Sequence, residues 1–338
     1  MLGTLVVSWF AEYGRNLVWR NTHDPYRIWI AEIVMQQTRI EQGTAYFYRF
    51  VERFPNLQSL AKASLDEVLK YWEGLGYYSR ARNLHTTAKQ LMEDYGGTFP
   101  KHHTELIKLK GIGPYTARAI GSFAFKNETG VLDGNVLRVM SRVLNNFLPI
   151  NQQKSRKVFQ QIIDTWVKGV DSRAFNQGMM DLGATICTPT KPACMICPLE
   201  THCEARKEDT LHLLPHKGKK LKRKTRYFNF YLVSNSSDEI AIRQRPVSGL
   251  WGGLWEIPNE EVEMKIWDQK QNLQGGTFSF KMKHVFTHFD MMINTFVLTA
   301  VEAHHWEGVQ FISKDKIPIF AFSKAVLNIF DNAWQNMD

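Results

Sequence analysis

The chain has 338 residues, 44% of them hydrophobic, enough for two or three domains with cores of their own. Forty-two Lys and Arg against 33 Asp and Glu leave a formal charge of +9, which suits a polyanionic partner without identifying one. No run of 18 uncharged apolar residues occurs, so no helical membrane span is expected.

In chain order, "MLGTLVVSWFAEYGRN" is an apolar patch with no basic leader and no small-residue cleavage site, and Trp9 and Phe10 suit one face of a helix. "HDPYRIWIAEIVMQQT" opens with Asp24 as helix N-cap and Pro25 at the first helical position, followed by a broad apolar face. Glu32 lies inside that face, between Ala31 and Ile33. It is either on the wet side of the helix or in a cleft, where desolvation would raise its pKa and make it an acid. "SLDEVLKYW" begins with a capping box, Ser64 and Glu67. "GLGYYSRARNLHTTAKQLMEDYGG" reads as a glycine turn, a helix and a Gly-Gly stop.

"LKGIGPYTARAI" places Gly111 and Gly113 where positive φ and close backbone approach are expected, with Pro114 starting the next helix. Free N–H groups at such a helix start bind anions, so the segment reads as a helix–hairpin–helix that grips a DNA phosphate without reading a base. Some twenty residues on, "VLDGNVLRVMSRV" puts Asp133 at a helix start, as an N-cap or as a fixed anion. All four cysteines fall in "CTPTKPACMICPLETHC", with spacing Cys-x6-Cys-x2-Cys-x5-Cys. A disulfide scaffold would scatter them. Four thiolates this close suit a tetrahedral zinc ion or a cubane iron–sulfur cluster. The single Cys-x2-Cys pair and the stiffening prolines 189, 192 and 198 favour a 4Fe-4S cluster on Cys187, Cys194, Cys197 and Cys203. Lys191, His202 and Arg206 surround it, as a DNA-facing loop would require.

"HKGKKLKRKTR", residues 216–226, holds seven Lys or Arg and no acid, a solvated linker or a phosphate-facing tether. Beyond it the pattern changes to strand-like runs, "RYFNFYLVS", "EIAIRQRP" and "TFSFKMKHVFTHFDMMINTFVLTAV". "GLWGGLWEIP" is a glycine- and tryptophan-rich loop, and "FSKAVLNIFDNAW" a closing helix. This is a separate α+β domain.

Taken together, "EIVMQQT", "GLGYYSRARNL", "LKGIGPYTARAI", "LDGNVLRV", "FNQGMMDLGATIC", the cysteine cluster and "GLWGGLWEIP" resemble the endonuclease III superfamily of DNA repair glycosylases, and within it the MutY-type adenine DNA glycosylases. The resemblance covers almost the whole chain. It implies an all-α, two-domain helix–hairpin–helix glycosylase with an iron–sulfur loop, followed by an α+β MutT/Nudix-like domain. The implied division is 1–22 with 131–210 as the cluster domain, 23–130 as a six-helix domain, 211–226 as linker and 227–338 as the 8-oxoguanine-recognition domain. The implied substrate is double-stranded DNA with adenine opposite 8-oxoguanine or guanine, handled by a monomer in a bacterial cytoplasm.

By the same resemblance Glu32 protonates adenine N7 and later positions water, and Asp133 stabilises an oxocarbenium-like sugar. Arg20 and Gln177 belong to the adenine pocket, with Trp19 as a wall; Asn135 orders the site; and Gln37, Thr38 and Tyr77 form a wedge near 8-oxoguanine. "LVWR" departs from the family's Leu-Pro-Trp-Arg and loosens the turn before the pocket. Tyr115 stands where lyase relatives carry the lysine that forms a Schiff base, which implies a glycosylase without lyase activity. Phe286, Thr287 and His288 match a Phe-Ser-His recognition loop, Thr287 keeping the hydroxyl. "NEEVEMKIWDQKQ" lacks the arginine and paired acids of a hydrolytic Nudix helix, which implies a reader. The competing readings are a bifunctional lyase, a non-catalytic iron–sulfur DNA sensor and a nucleotide hydrolase.

Overall fold

The computed structural model describes residues 2–218, 223–271, 276–299 and 306–335. Residues 219–222 of the basic linker and the end of "TFVLTAV" lie outside them. The chain forms two compact units, one of Met1–Phe47, Val51–Ala61 and Thr86–Lys220, the other of Tyr48–Phe50, Lys62–His85 and Leu221–Asp338.

The first unit is helical. Its elements include α1 (Leu2–Tyr13), α2 (Pro25–Val34), most of α3 (Ile40–Arg53) and α4 (Leu57–Lys62). In α2 Asp24 accepts the Tyr26 N–H and Pro25 occupies the first position, as the sequence predicts. The short α7 (His103–Leu106) and α8 (Pro114–Phe125) form the hairpin that follows α5 (Leu65–Trp72) and α6 (Ser79–Asp94). Then come α9 (Gly134–Val143), α10 (Gln153–Trp166) and α11 (Ser172–Asp181). Their core joins Val136, Leu137 and Met140 of α9 to Phe159 and Ile163 of α10 and to Phe175 and Met179 of α11. α1 packs on α11 at Gly178, where a Cβ would meet Val6 at 2.8 Å.

α11 passes directly into a single π-helical turn, Leu182–Ile186, which delivers Cys187. Such turns often mark functional sites.

The second unit contains α5, whose Ser64 cap accepts the Glu67 N–H, and a mixed sheet, seven-stranded among the described residues. β1 (Lys224–Ser234) is central: it pairs in parallel with β6 (Phe289–Thr299) and antiparallel with β2 (Ile240–Gln244) and β4 (Asn259–Val262). Consecutive burial from Phe228 to Val233 shows that both faces of β1 are covered, which explains its unbroken apolar run. β3 (Trp255–Glu256) and β7 (Val309–Ile312) flank β2, and β5 (Thr277–Val285) closes a hairpin with β6. A five-residue helix, α13 in chain order after α12 (Glu204–Lys207), spans Met264–Asp268. The closing α14 (Lys324–Gln335) buries Ala325, Val326, Ile329, Phe330 and Ala333, one helical face.

Among the described residues no helix is long and apolar enough to cross a membrane.

Candidate active site

In the first unit a cavity of about 220 Å³ is lined by Glu32, Tyr115 and Asp133 together with Trp19, Arg20, Thr38, Asn135 and Gln177. Seven of the ten residues of α2 are buried, so this helix is enclosed nearly all round. Glu32 is its only acid, half-buried and facing the cavity rather than bulk water. Its Oε2 accepts the Tyr115 hydroxyl at 2.8 Å. Burial pushes the Glu32 carboxyl up to about 7, against the Tyr115 bond and the nearby Arg20 charge and with a further push from Asp133. Burial, and then the charge of Glu32, drive the Tyr115 phenol well above its usual range, so it stays a neutral donor.

Asp133 is the N-cap of α9. Its Oδ1 accepts the Val136 N–H at 2.6 Å and its Oδ2 accepts the Asn135 amide at 3.1 Å. Burial pushes its carboxyl up, while these bonds and the Arg138 charge pull it back. The Asn135 side chain has one orientation here. Its oxygen accepts from Arg138 at 2.9 Å, which turns its NH₂ toward Asp133. Arg138 also donates to the Gly183 and Cys187 carbonyls at 2.6 and 2.8 Å. A bonded chain thus runs from Asp133 through α9 to the first cysteine.

Arg20 is fixed by an acid that sequence reasoning missed. Asp181 is fully buried and accepts two bonds from the Arg20 guanidinium, at 2.7 and 2.8 Å, and others from the Arg15 side chain and backbone. Burial alone would raise the Asp181 carboxyl, but the bonds from Arg20 and Arg15 hold it below the ordinary carboxylate range. Arg173 ties down the same turn through the Arg20 and Thr22 carbonyls. The signal was available: an acid inside "MMDLG" is as anomalous as Glu32.

Gln37 does not line this cavity; it is exposed with φ 57°. Tyr77 belongs to the second unit. Its φ is 47°, the residue is 44% exposed, and it lines a cavity of about 670 Å³ with Phe286, Thr287 and His288. These three residues form the tip of the β5–β6 hairpin, closed by the Phe286 N–H on the Phe289 carbonyl at 2.9 Å. Thr287 and His288 are exposed.

At the helical hairpin Gly111 has φ 76°, as expected, but Gly113 does not share it. Gly113 is the N-cap of α8 at φ −83°, a backbone any residue adopts, so positive φ is not its reason. A Cβ at Gly113 would meet nothing within 4 Å. It would project into open space beside the first-turn N–H groups of α8, which have no intrahelical acceptor. Helix α6 anchors the hairpin from behind, the Thr87 hydroxyl donating to the Lys110 carbonyl.

The four cysteines line one small cavity with Val139, Arg142 and Leu211. All four are free thiols. Arg142 is 2% exposed and donates to Cys187 Sγ at 3.3 Å and to the Thr188 and Pro189 carbonyls. A buried guanidinium facing a sulfur suits a thiolate ligand. Among the described residues no group of three or more His, Cys, Asp or Glu is arranged to hold a single metal ion. Four sulfurs around one enclosed apolar space fit a multi-iron cluster by donor type and number.

Residues 30–168 match the HhH-GPD superfamily of base excision DNA repair proteins, and residues 229–332 match the NUDIX domain. A thermostable thymine-DNA glycosylase superposes with TM-score 0.56 at 28% identity, over 61% of this chain and 95% of that one. Endonuclease III trapped covalently on DNA shares the fold, with TM-score 0.50 at 22% identity over 62% of this chain and 95% of that one. The molecule is therefore a base excision repair glycosylase of the helix–hairpin–helix class, with a Nudix-like domain following its helices. The adenine DNA glycosylase of Buchnera aphidicola subsp. Baizongia pistaciae is 35% identical, over 86% of this chain and 83% of its own length. That of Mus musculus is 34% identical over 76% and 60%. The chain belongs to the adenine DNA glycosylases, DNA-binding repair enzymes that remove adenine.

Proposed function

We propose that the enzyme hydrolyses the N-glycosidic bond of adenine paired with 8-oxoguanine or guanine, without cleaving the strand. The observation that carries this reading is one cavity that brings together the Glu32 carboxyl, the Tyr115 phenol bonded to it and the Asp133 carboxyl, with burial pushing Glu32 up to about 7. Adenine is extruded from the duplex into this space, since its reacting atoms are inaccessible inside the stack. Glu32 gives its proton to N7, so the C1′–N9 electrons leave with a neutral base. Asp133 stays ionised and offsets the positive charge that develops on the sugar. Water adds to C1′ and returns its proton to Glu32. Free adenine and an abasic site remain. Trp19, Arg20 and Gln177 shape the base pocket, Asn135 orients Asp133, and Gln37, Thr38 and Tyr77 enter the duplex.

Tyr115 supports a glycosylase that is not a lyase, because a buried phenol forms no Schiff base. Phe286, Thr287 and His288 are the proposed reader of 8-oxoguanine. Two acids of "NEEVEMKIWDQKQ" are engaged elsewhere: Glu260 accepts from Tyr231, and Glu261 pairs with Arg226, both on strand β4 rather than on a helix. We assign Cys187, Cys194, Cys197 and Cys203 to a 4Fe-4S cluster, which when bound would tie residues 187–203 into one rigid loop. The enzyme is proposed to work as a monomer in a bacterial cytoplasm.

Duplexes carrying A:8-oxoguanine, A:G and A:T test this reading, with abasic sites developed by alkali. Excision from the first two and not the third is expected, with no borohydride-trapped adduct. Equal excision of A:T, or efficient trapping, refutes it. A second expectation concerns the hairpin. Gly113→Val should cost no more than about 1 kcal/mol of stability, yet weaken duplex binding roughly tenfold, because the new side chain fills the space of the bound phosphate. Fluorescence anisotropy at fixed salt measures this; an unchanged Kd would remove the hairpin from the phosphate contacts.

A further inference from the structure

The loop "GLWGGLW" contains a residue in a conformation that its side chain opposes. Trp251 has φ 53°, in the left-handed region that bulky residues avoid. Gly249 and Gly253 take the other positive φ angles of the loop without cost, at 82° and 78°. Backbone strain of this kind persists only where surrounding contacts over-determine it, and it collects at binding sites. The contacts are present. Trp251 is only 9% exposed. Its ring lies 5.6 Å from Phe286 and 6.0 Å from His284. Phe286 also stacks on Phe289, with centroids 4.3 Å apart and planes 12° from parallel. Phe286 is therefore packed against both rings. Arg82 pins the loop from α6, donating to the Gly252 carbonyl at 2.8 Å. All these residues belong to the second unit, and Trp251, His284, Phe286 and Arg82 line its large cavity.

We infer that Trp251 is a positioning residue for opposite-base recognition, bracing Phe286 so that the exposed Thr287 and His288 are presented in one orientation. The inference rests on the proposed role of the 286–288 loop in reading 8-oxoguanine. The tip of an antiparallel hairpin, here residues 286–288, is otherwise free to rock about its strands. Rings packed against Phe286 remove that freedom before DNA binds, and pre-ordering is where such a contact contributes to discrimination. Aromatic pairs of this geometry contribute beyond the area they bury. His284 reinforces the brace: it stands 4.9 Å from Phe286, and burial keeps its imidazole below the usual range, so no charge enters the ring cluster.

The test is the ratio of single-turnover excision rates on A:8-oxoguanine and A:G duplexes, measured for the full chain loaded with its cluster. Trp251→Ala should lower that ratio roughly tenfold, and Trp251→Phe should keep it within about twofold of wild type. Because glycine adopts φ 53° freely, Trp251→Gly deletes the ring while relaxing the loop, so it reports on the ring even if the alanine variant does not fold. It should lower the ratio as alanine does. An unchanged ratio in the alanine or glycine variant, or an equal loss on both duplexes, overturns the inference. A wild-type ratio near one would instead remove the 8-oxoguanine reading beneath it.

Discussion

Glu32→Gln should reduce single-turnover adenine excision by about 10²–10⁴-fold while duplex affinity changes little. Glutamine keeps the size of the side chain and can still accept the Tyr115 hydroxyl, now 2.8 Å from Glu32. What it lacks is the transferable proton. The pH dependence should show the same thing. With burial pushing Glu32 up to about 7, the protonated acid dominates below that pH, and the wild-type rate falls about tenfold per unit above it. A glutamine variant with wild-type rates would remove Glu32 from the chemistry.

The same shift has a consequence for stability. The folded state holds the Glu32 proton more tightly than the unfolded chain, whose carboxyl titrates near 4.5. Below 4.5 both states are protonated and burial carries no ionic penalty. Between 4.5 and 7 the unfolded chain ionises first and stability falls as pH rises; above 7 the full cost is present. Glutamine carries no such cost. Glu32→Gln should therefore melt higher than wild type at pH 8, by a free energy on the order of 1–3 kcal/mol, and the gap should close toward pH 4. Melting curves at the two pH values decide it.

The parts of this molecule written in local sequence are the ones legible without coordinates. Asp24–Pro25, Ser64–Glu67 and Gly113–Pro114 mark helix starts because capping is decided within four residues. Glu32 stood out because one acid in an apolar helix is anomalous by itself. Asp133 was legible as a cap or an anion, and the structure places it as the cap at the cavity's edge. Partnerships across the chain were not legible. Asp181 meets Arg15 and Arg20 from more than 160 residues away, and no local pattern encodes that pairing. The parallel pairing of β1 with β6 brings Lys224 opposite Phe289, past four intervening strands. Strand "NEEV" was hidden by its acids, which bond to Tyr231 and Arg226. Trp251 was visible as a residue, but its backbone angle was not.

Asp133→Asn should separate two functions that one carboxylate performs. As N-cap, Asp133 satisfies the Val136 N–H at 2.6 Å, and asparagine caps as well as aspartate. The variant should lose little stability, whereas Asp133→Ala should lose about 1 kcal/mol through the missing cap. In the proposed reaction Asp133, as an anion, faces the sugar as it becomes cationic, and losing that charge should lower excision by about 10²–10³-fold. Some of the loss will come from orientation. With its oxygen on Val136, the new amide points its NH₂ at the Asn135 NH₂, whose own direction is set by Arg138. Two donors then face each other, and Asn135 must turn away or break its bond to Arg138. The pH profile distinguishes charge from orientation. In the wild type, protonation of Asp133 removes the anion, so excision falls on acidification, and burial places that fall above the ordinary aspartate range. An asparagine has no proton to gain. The residual activity of Asp133→Asn should therefore show no acid limb of that origin and should keep only the alkaline fall set by Glu32. An acid limb unchanged in the variant would assign it to another group and leave Asp133 as a helix cap alone.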